Sequence, residues 1–242
     1  MSQNQTVQTQ PRLAPIEPDG YGTHRRHADY VARFDEARLA AGQEYLAVEQ
    51  ERARFFHMLE MLRLSRGVPG ATAEAGCYRG LTSFLICRER QLEDDRFSGA
   101  GHWMIDSFEG LSEPVAADGP ISRDRFDTRH FANTSVEHVR NTLAAFPDVT
   151  MVRGWIPDAF ADVPEQRYRF VHVDVDLHDP TLHSLEYFYP RLSPGGLLVV
   201  DDYGPWVPGL WEGCRPAVES FCKKHDIPFA RFDTGNVVLR AV

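Results

Sequence analysis

The chain has 242 residues, of which 43% are hydrophobic and 25% are charged, and these values are ordinary for a globular protein. This length predicts one large domain, or one domain with a helical extension. The formal net charge of −9 argues against a nucleic-acid partner, because an acidic protein repels a phosphate backbone.

The first twenty residues have no basic segment followed by an apolar stretch, so we expect no secretory signal. No run of about 18 apolar residues predicts a membrane span. The four cysteines, Cys77, Cys87, Cys214 and Cys222, show no CxxC spacing, which disfavours a zinc ribbon or a thioredoxin-type site. Free thiols are typical of a reducing compartment, so we expect a cytoplasmic protein.

The N-terminal part of the chain divides into two segments. Residues 1–20 are rich in Gln, Thr and Pro, and we expect them to lack fixed structure. Residues 21–69 are predicted to be helical, with one or two amphipathic helices between Ala28 and Leu64. The apolar side chains at helical spacing are Tyr45, Val48, Phe55, Phe56, Met58, Leu59 and Leu62.

Residues 70–242 alternate between strand and helix patterns. The predicted strands are Ala71–Ala75, His102–Asp106, Val149–Arg153, Arg169–Asp176 and Leu197–Asp201, with a final hairpin of Phe229–Phe232 and Val237–Arg240. The predicted helices are Leu81–Gln91, Ser135–Phe146, Leu182–Tyr189 and Arg215–His225. This alternation predicts βαβ units and a mainly parallel sheet, in which ligands bind beyond the carboxyl ends of the strands.

A long segment, residues 111–134, follows the predicted second strand. Loops of this length are usually active-site lids or disordered, and we favour a lid because Phe126 and Phe131 give it apolar contacts. His130 lies on the same segment and could reach a substrate.

The first two strand ends suit a nucleoside that carries no phosphates. The run Glu74–Gly80 is neither a G-x-G-x-x-G motif nor a P-loop, and its glycines allow a ligand to approach the backbone. Glu74 could face an ammonium group, and Asp106 could accept both hydroxyls of a ribose. Either acid could instead simply cap a turn. Trp155, after Gly154, could stack on adenine or belong to the core.

The next two strand ends carry four aspartates. Asp174 and Asp176 alternate onto one face of their predicted strand, and Asp201 and Asp202 end the following strand. Carboxylates that converge need a cation, and an all-oxygen ligand set suits Mg²⁺ or a similar ion, with a neighbouring carboxylate as the base. The alternative is a solvated acidic edge. We assign His172 a structural role and expect His178 and His183 to lie at the surface.

These motifs resemble the macrocin O-methyltransferase family, class I enzymes that methylate sugar hydroxyls in natural-product biosynthesis. The resemblance covers roughly residues 70–242, and its most specific block runs from Tyr189 to Tyr203. The matching motifs are Glu74-x-Gly-x-x-x-Gly80, Asp106-Ser-Phe-Glu-Gly-Leu111, Gly154-Trp155, Asp174-x-Asp176, Tyr189-Pro-Arg-Leu-Ser-Pro-Gly-Gly196 and Asp201-Asp-Tyr203.

The resemblance implies a Rossmann-like class I fold, with a seven-stranded sheet that ends in an antiparallel hairpin. It implies S-adenosylmethionine and Mg²⁺ as cofactors, a natural-product acceptor, and a homo-oligomer assembled through the N-terminal helices. It assigns Asp174, Asp201 and Asp202 to the metal and Asp176 to the general base. The implied cofactor contacts are Glu74, Gly76, Arg79, Gly80, Asp106, Ser107, Gly154, Trp155 and Asp174.

Two departures from the family pattern fall beside the aspartates. The family has Asp-Gly-Asp where this chain has Asp174-Val-Asp176, and Tyr-Glu-Ser-Thr where it has His178-Asp-Pro-Thr181. A phenol, catechol or other non-sugar acceptor therefore stays open. A metal-dependent hydrolase is a second alternative, although it gives Glu74 and Asp106 no role. A nucleoside-binding module without catalysis is a third, and it predicts an empty metal site.

Overall fold

The computed structural model describes residues 23–44, 48–120, 130–204 and 212–242. Its centre is a seven-stranded sheet in the order β3-β2-β1-β4-β5-β7-β6. The strands are β1 Ala71–Ala75, β2 His102–Asp106, β3 Thr150–Arg153, β4 Tyr168–Val173, β5 Leu192–Val200, β6 Phe229–Arg231 and β7 Val237–Arg240. The first five are parallel, whereas β7 runs antiparallel to both β5 and β6. The predicted mixed sheet with a C-terminal hairpin is confirmed.

Helices cover both faces of the sheet. They are α1 Ala28–Ala40, α2 Val48–Leu64, α3 Leu81–Glu93, α4 Val136–Thr142, α5 His178–Phe188 and α6 Cys214–His225. One apolar core joins α1, α2, α3 and α4 to one face, and a second core joins α5 and α6 to the other. The result is a three-layer α/β/α arrangement. Among the described helices, none is both long and apolar enough to cross a membrane.

The predicted N-terminal helical segment contains two helices, α1 and α2. Tyr30 and Phe34 of α1 are fully buried against Phe55 and Phe56 of α2, and the Tyr30 hydroxyl donates to the Arg52 carbonyl at 2.6 Å. This aromatic packing joins the segment to the main core. Expectations for residues 1–20, Tyr45 and the Val48 side chain lie outside the described residues.

Several predicted strands have different bounds in the structure. The strand expected at Arg169–Asp176 runs from Tyr168 to Val173, and Asp176, past its end, takes a left-handed backbone (φ 59°) that is incompatible with a strand. The strand expected at Leu197–Asp201 begins at Leu192, with a register irregularity that accommodates the run Pro194–Gly196. The strand predicted at Val149–Arg153 begins one residue later, at Thr150.

The helix predictions were wrong at two ends. The helix expected at Ser135–Phe146 ends at Thr142, with Ser135 as its N-cap accepting from the His138 amide. The helix expected from Leu182 begins at His178, because a proline in the first turn, Pro180, does not break a helix. The remaining predicted helices are confirmed to within two residues at their ends.

Backbone hydrogen bonds continue past the strand ends and line up the residues that follow. The Gly154 amide donates to Asp106 O, the Gly76 amide to Ile105 O, the Asp174 amide to Ala75 O and the Asp201 amide to Val173 O, each at 2.9 Å. One row of residues at the carboxyl edge of the sheet therefore carries most of the motifs singled out in the sequence.

Candidate active site

A cavity of about 460 Å³ opens along this row of strand ends. Its walls come from the strand ends, from α2, and from the segments that flank the predicted lid. Its lining residues are Gln43, Gln50, Glu51, Arg54, Phe55, Gly76, Cys77, Tyr78, Leu81, Thr82, Ile105, Asp106, Ser107, Gly110, Leu111, Ser112, Phe131, Gly154, Trp155, Ile156, Asp174, Val175, Asp176, Pro180 and Asp202.

Asp106 is held by the main chain of the glycine turn. Its Oδ2 accepts the amides of Cys77 (2.7 Å) and Tyr78 (2.9 Å), and its Oδ1 accepts the amide of Phe108 (2.7 Å). Three backbone donors fix the orientation of the carboxylate. Asp106 therefore presents a fixed negative group to the cavity, with lone pairs left for a ligand.

Gly76 is required where the turn crosses the end of β4. Its backbone has φ of 79°, and a Cβ placed there would stand 1.8 Å from the carbonyl oxygen of Asp174. Any side chain would push the turn away from the Asp174 backbone. The glycine thus keeps the two halves of the cavity in contact.

Gly154 and Trp155 line the cavity after β3, as the sequence predicted. Trp155 is 40% exposed, so its indole faces the opening rather than the core. The alternative of a core tryptophan is therefore wrong, and stacking on an adenine stays a prediction. Ser107 also lines the cavity, and its hydroxyl donates to the Gly110 carbonyl at 3.1 Å.

The four aspartates do not take equivalent positions. Asp174, Asp176 and Asp202 line the cavity, whereas Asp201 is 1% exposed and lies beneath them. Asp176 and Asp202 both have left-handed backbones, with φ of 59° and 57°. Non-glycine residues in this conformation concentrate at functional sites, and here the bend turns both side chains toward one space.

Arg54 of α2 supplies a cation to this cluster. Its Nη1 lies 3.4 Å from Asp201 Oδ2 and 3.4 Å from Asp202 Oδ1, and its Nη2 donates to Glu51 Oε2 at 2.7 Å. The guanidinium also stands over the Phe55 ring, 4.7 Å from its centroid. Converging carboxylates need a cation, and the protein supplies one of its own.

A second internal cation comes from His172 on β4. The buried ring lies between two carboxylates, with Nδ1 donating to Glu74 Oε1 at 3.1 Å and Nε2 standing 3.4 Å from Asp201 Oδ2. Burial alone lowers the pKa of His172, but Asp201 and Glu74 outweigh it and raise the pKa to about 9. The structural role predicted for His172 is therefore charge balance inside the core.

Burial divides the aspartates electrostatically. Desolvation raises the pKa of Asp174 well above its ordinary value, and Asp201 and Asp202 add to the effect. Desolvation and Asp202 do the same to the pKa of Asp176. Desolvation also opposes ionisation of Asp201, but Arg54 and His172 outweigh it and lower the Asp201 pKa. The raised pKa values favour the protonated forms of Asp174 and Asp176, so these two groups lack the compensation that Arg54 and His172 give to Asp201.

One group of possible metal-binding residues differs from the predicted set. Ligand atoms of His172, Asp174 and Asp201 lie within 4.8 Å of one another. The sequence instead predicted Asp174, Asp201 and Asp202. The His172 imidazole faces a carboxylate at each ring nitrogen, so we regard it as a partner of Asp201 rather than as a metal ligand.

Three predicted cofactor contacts lie outside the cavity lining. Glu74 is fully buried, and its carboxylate accepts a hydrogen bond from Ser83 Oγ and faces His172. Arg79 donates to the Gly42 carbonyl (2.8 Å) and to His138 Nε2 (3.1 Å), where it joins α1 to α4. Gly80 is the N-cap residue of α3. These three residues lie behind the glycine turn, and their contact with the cofactor stays a prediction.

The ends of the predicted lid are anchored beside the glycine turn. The Leu111 amide donates to the His130 carbonyl at 3.2 Å, and the Tyr78 hydroxyl donates to Asn133 Oδ1 at 2.6 Å. The Tyr78 and Phe131 rings meet edge to face at 5.1 Å. His130 is exposed and lies outside the cavity lining. Residues 121–129, including Phe126, are outside the described part of the chain, so the lid stays a prediction.

Motif reasoning missed the wall contributed by the N-terminal segment. Gln43, Gln50, Glu51, Arg54 and Phe55 line the cavity opposite the strand ends. On an amphipathic helix, charged residues normally face solvent, so nothing in the local pattern distinguished Arg54 from its exposed neighbours. Only the packing of α2 over β5 reveals it.

The sequence profile described as Macrocin-O-methyltransferase (TylF) matches residues 22–240. The 8-demethyl-8-(2,3-dimethoxy-alpha-L-rhamnosyl)-tetracenomycin-C 4'-O-methyltransferase of Streptomyces olivaceus is 30% identical over 185 residues, 73% of this chain and 68% of that protein. The mycinamicin III 3''-O-methyltransferase of Micromonospora griseorubida is 27% identical over 215 residues, 81% of this chain and 79% of that protein.

Solved structures agree on the fold. The O-methyltransferase NovP superposes with a TM-score of 0.70 at 22% identity, covering 88% of this chain and 100% of NovP. The calicheamicin methyltransferase CalS11 gives a TM-score of 0.65 at 17% identity, covering 99% and 98%. The sheet with its antiparallel hairpin is accordingly the class I methyltransferase fold. The profile match spans most of the chain, so the protein belongs to the macrocin O-methyltransferase family and is an S-adenosylmethionine-dependent O-methyltransferase.

Proposed function

We propose that the protein methylates a sugar hydroxyl of a natural product, with a divalent cation bound among the aspartates. The observation that carries this proposal is that one cavity joins Asp106 to Asp174, Asp176 and Asp202. A small-molecule site of about 460 Å³ is of ordinary size. The names of the relatives describe methylation at a 4' and a 3'' hydroxyl, which supports a sugar acceptor here.

The cofactor is expected to lie over the ends of β1, β2 and β3. The fixed carboxylate of Asp106 would accept the ribose hydroxyls, and the Trp155 indole would stack on the adenine. The other proposed contacts that line the cavity are Gly76, Ser107, Gly154 and Asp174. The aspartate side of the same cavity would then receive the acceptor.

Asp176 is the proposed general base. Desolvation and Asp202 raise the pKa of Asp176, which makes its carboxylate a stronger base than an exposed aspartate. The acceptor O–H proton would pass to Asp176 as the oxygen attacks the methyl carbon. S-adenosylmethionine would supply the methyl group, and its sulfur would keep the electron pair of the carbon–sulfur bond that breaks. The products are a methyl ether, S-adenosylhomocysteine and a protonated Asp176.

The donor set of the cluster fits a hard divalent ion. Among the described residues, Asp201 Oδ2 makes no hydrogen bond, and its nearest cationic nitrogens stand 3.4 Å away. Carboxylate oxygens are the ligands that Mg²⁺ prefers. Asp174, Asp201 and Asp202 would hold the ion. Such an ion lowers the pKa of a coordinated hydroxyl and fixes its orientation.

The wall from the N-terminal segment is the proposed acceptor side. Gln43, Gln50 and Glu51 offer hydrogen-bonding groups that suit sugar hydroxyls, and Phe55 offers an apolar surface. We further propose a homo-oligomer formed through the N-terminal helices, where Leu39 and Leu64 are 58% and 44% exposed. Light scattering of the full chain tests this assembly. The four free cysteines support the expected cytoplasmic location.

The acceptor class is tested by mass spectrometry of products formed with S-adenosylmethionine. The panel pairs glycosylated natural products with their aglycones, and adds a catechol. We expect a gain of one methyl group on the glycosylated members only. Methylation of an aglycone or the catechol, with the sugars untouched, would contradict the sugar assignment but leave the enzyme class intact.

The metal is tested separately on the same reaction. We expect turnover to fall at least tenfold after treatment with a chelator, and to recover when Mg²⁺ is added in excess. Calcium at the same concentration is the control, because it matches Mg²⁺ in ionic strength and in charge. Full turnover in the chelator-treated protein would remove the metal from the proposal.

A further inference from the structure

Asp201 is the aspartate most fully surrounded by groups of the protein itself. Its Oδ1 accepts the side-chain amide of Asn236, and its Oδ2 faces Arg54 and His172 at 3.4 Å each. Its backbone carbonyl accepts Cys214 Sγ at 2.9 Å. A metal ion that binds Asp201 must therefore approach a carboxylate whose charge Arg54 and His172 already compensate.

The guanidinium of Arg54 stands at the gap between Asp201 and Asp202. The same nitrogen, Nη1, is 3.4 Å from an oxygen of each aspartate, so its charge lies among the carboxylates that would hold the ion. Two positive groups cannot share that region without strong repulsion. The Arg54 side chain is 13% exposed and lines the cavity, which leaves it a direction in which to move.

Arg54 has a firmer contact on its other side. Its Nη2 donates to Glu51 Oε2 at 2.7 Å, one helical turn away, whereas both contacts to the aspartates are longer than a good hydrogen bond. The guanidinium can therefore leave the aspartates while it keeps Glu51. Both Arg54 and Glu51 line the cavity beside the proposed acceptor wall.

The helix that carries Arg54 is fixed over Asp201 by a second route. His57, three residues later on α2, lies 2.9 Å from Thr234 Oγ1, and Thr234 donates to Asn236 Oδ1 at 3.0 Å. Asn236 in turn donates to Asp201. Because α2 is attached in this way, movement of Arg54 requires only its side chain to swing.

We propose that Arg54 is a built-in counter-cation that competes with the divalent ion, so that ion binding at Asp201 and Asp202 excludes the guanidinium from its present position. This inference rests on the metal site of the proposed function. Arg54 stabilises the cluster before the ion arrives, and it shifts toward Glu51 and the acceptor side when the ion enters. It is a positioning residue that sets how tightly the ion binds.

The test measures Mn²⁺ binding to the full chain by electron paramagnetic resonance of the free ion, without cofactor or acceptor. Arg54→Met removes the charge and keeps most of the apolar stem, and we expect it to bind Mn²⁺ at least tenfold more tightly than wild type. Arg54→Lys keeps a positive charge and should stay within about threefold of wild type, by the same Coulomb argument. Arg52→Met is the matched control, because Arg52 lies on the same helix and pairs with Asp35 at 2.6 Å.

A second measurement covers the case in which Arg54→Met is unstable. Without the ion, its melting temperature should fall below that of wild type, and Mn²⁺ should raise it by more than it raises the wild-type value. Equal or weaker Mn²⁺ binding by Arg54→Met overturns the inference while leaving the metal site in place. Equal tightening by Arg54→Met and Arg54→Lys overturns it as well. If no variant binds Mn²⁺, the proposed metal site fails and the inference fails with it.

Discussion

The two halves of the cavity hold their acids by different means. In the cofactor half, at the ends of β1, β2 and β3, Asp106 accepts three backbone amides at 2.7–2.9 Å. In the aspartate half, at the ends of β4 and β5, carboxylates crowd together and depend on side chains for compensation. The nearest compensating cation, Arg54, comes from a helix 148 residues away from Asp202 in the chain.

Main-chain donors in the cofactor half suit cofactor binding, and side-chain compensation in the aspartate half suits proton transfer. Main-chain donors cannot change charge or swing away, so they suit a group that only orients a cofactor. Carboxylates whose pKa values are raised by burial and by one another suit proton transfer, because small changes in their surroundings alter their protonation. We therefore expect substitutions in the cofactor half to affect affinity and substitutions in the aspartate half to affect turnover.

The largest effect is expected for Asp176→Asn. Loss of the base should lower kcat by roughly 10²–10⁴, the usual contribution of general base catalysis, while S-adenosylhomocysteine affinity stays within about twofold. Stopped-time product assays and calorimetry measure the two quantities. Asp94→Asn, on an exposed side chain after α3, is the control. Unchanged turnover would remove Asp176 as the base. A loss of S-adenosylhomocysteine affinity as large as the loss of kcat would show that the aspartate half also binds the cofactor, which contradicts the contrast between the two halves.

Asp106→Asn should act in the opposite way. The asparagine NH₂ would face backbone amides that now donate to a carboxylate, so the turn loses a partner and the ribose loses an acceptor. We expect S-adenosylhomocysteine to bind at least tenfold more weakly, with kcat at saturating cofactor within about threefold of wild type, since Asp106 makes no contact proposed for the transition state. Asp148→Asn, whose carboxylate accepts Ser98 Oγ away from the cavity, is the control for calorimetry. A fall in kcat without a change in affinity would contradict this assignment.

The same contrast explains what the sequence could and could not predict in the site. In the cofactor half, glycines and an acid lie within a few residues of a strand end, so motif spacing located Gly76, Asp106 and Trp155 correctly in the cavity. In the aspartate half, the residues were found but their roles depend on Arg54. No local pattern shows which charged residue of an amphipathic helix turns inward, because tertiary packing decides it.

The fold was predicted more fully than its boundaries. The bounds of β1 and β2 match the predicted residues, and Gly70, Gly76 and Gly101 flank these strands in the sequence. The end of β4 was placed too late because the alternation of Val171 to Asp176 continues past the last ladder pair. The left-handed backbone at Asp176, beyond the end of β4 at Val173, depends on surrounding contacts that periodicity does not report.

Two buried histidines below the cavity also differ in how the protein treats their charge. His102 on β2 has hydroxyl partners, Thr72 Oγ1 and Ser83 Oγ at 2.9 Å each, and burial lowers its pKa to about 3. His172 lies between carboxylates and, despite burial, has its pKa raised to about 9. The stabilisation from His172 is therefore present below pH 6.5 and lost as the pH rises through 9. The stabilisation from His102 is present above pH 6.5 and lost as the pH falls toward 3.

Urea unfolding of wild type, His172→Gln and His102→Gln across pH 5–10 measures both trends. By linkage, the free-energy difference between wild type and His172→Gln should shrink by about 3 kcal/mol from pH 6 to pH 10. The difference between wild type and His102→Gln should instead shrink from pH 7 to pH 5, by roughly 1–2 kcal/mol. His183→Gln, on the exposed face of α5, controls for the loss of one imidazole. Differences that move in the same direction with pH would contradict the opposite charge states of the two rings.

The smallest effect is expected where the lid segment meets the cofactor half. Tyr78→Phe removes the 2.6 Å hydrogen bond to Asn133 but keeps the edge-to-face contact with Phe131. An exposed hydrogen bond contributes on the order of 0.5–1 kcal/mol, so KM for S-adenosylmethionine should rise about two- to fivefold with kcat unchanged. Tyr189→Phe is the matched control, because its hydroxyl donates to the Arg240 carbonyl at the opposite edge of the sheet. A loss of kcat in Tyr78→Phe would mean that the contact between Tyr78 and Asn133 also positions the reacting groups. The cofactor half would then contribute to turnover as well as to cofactor affinity.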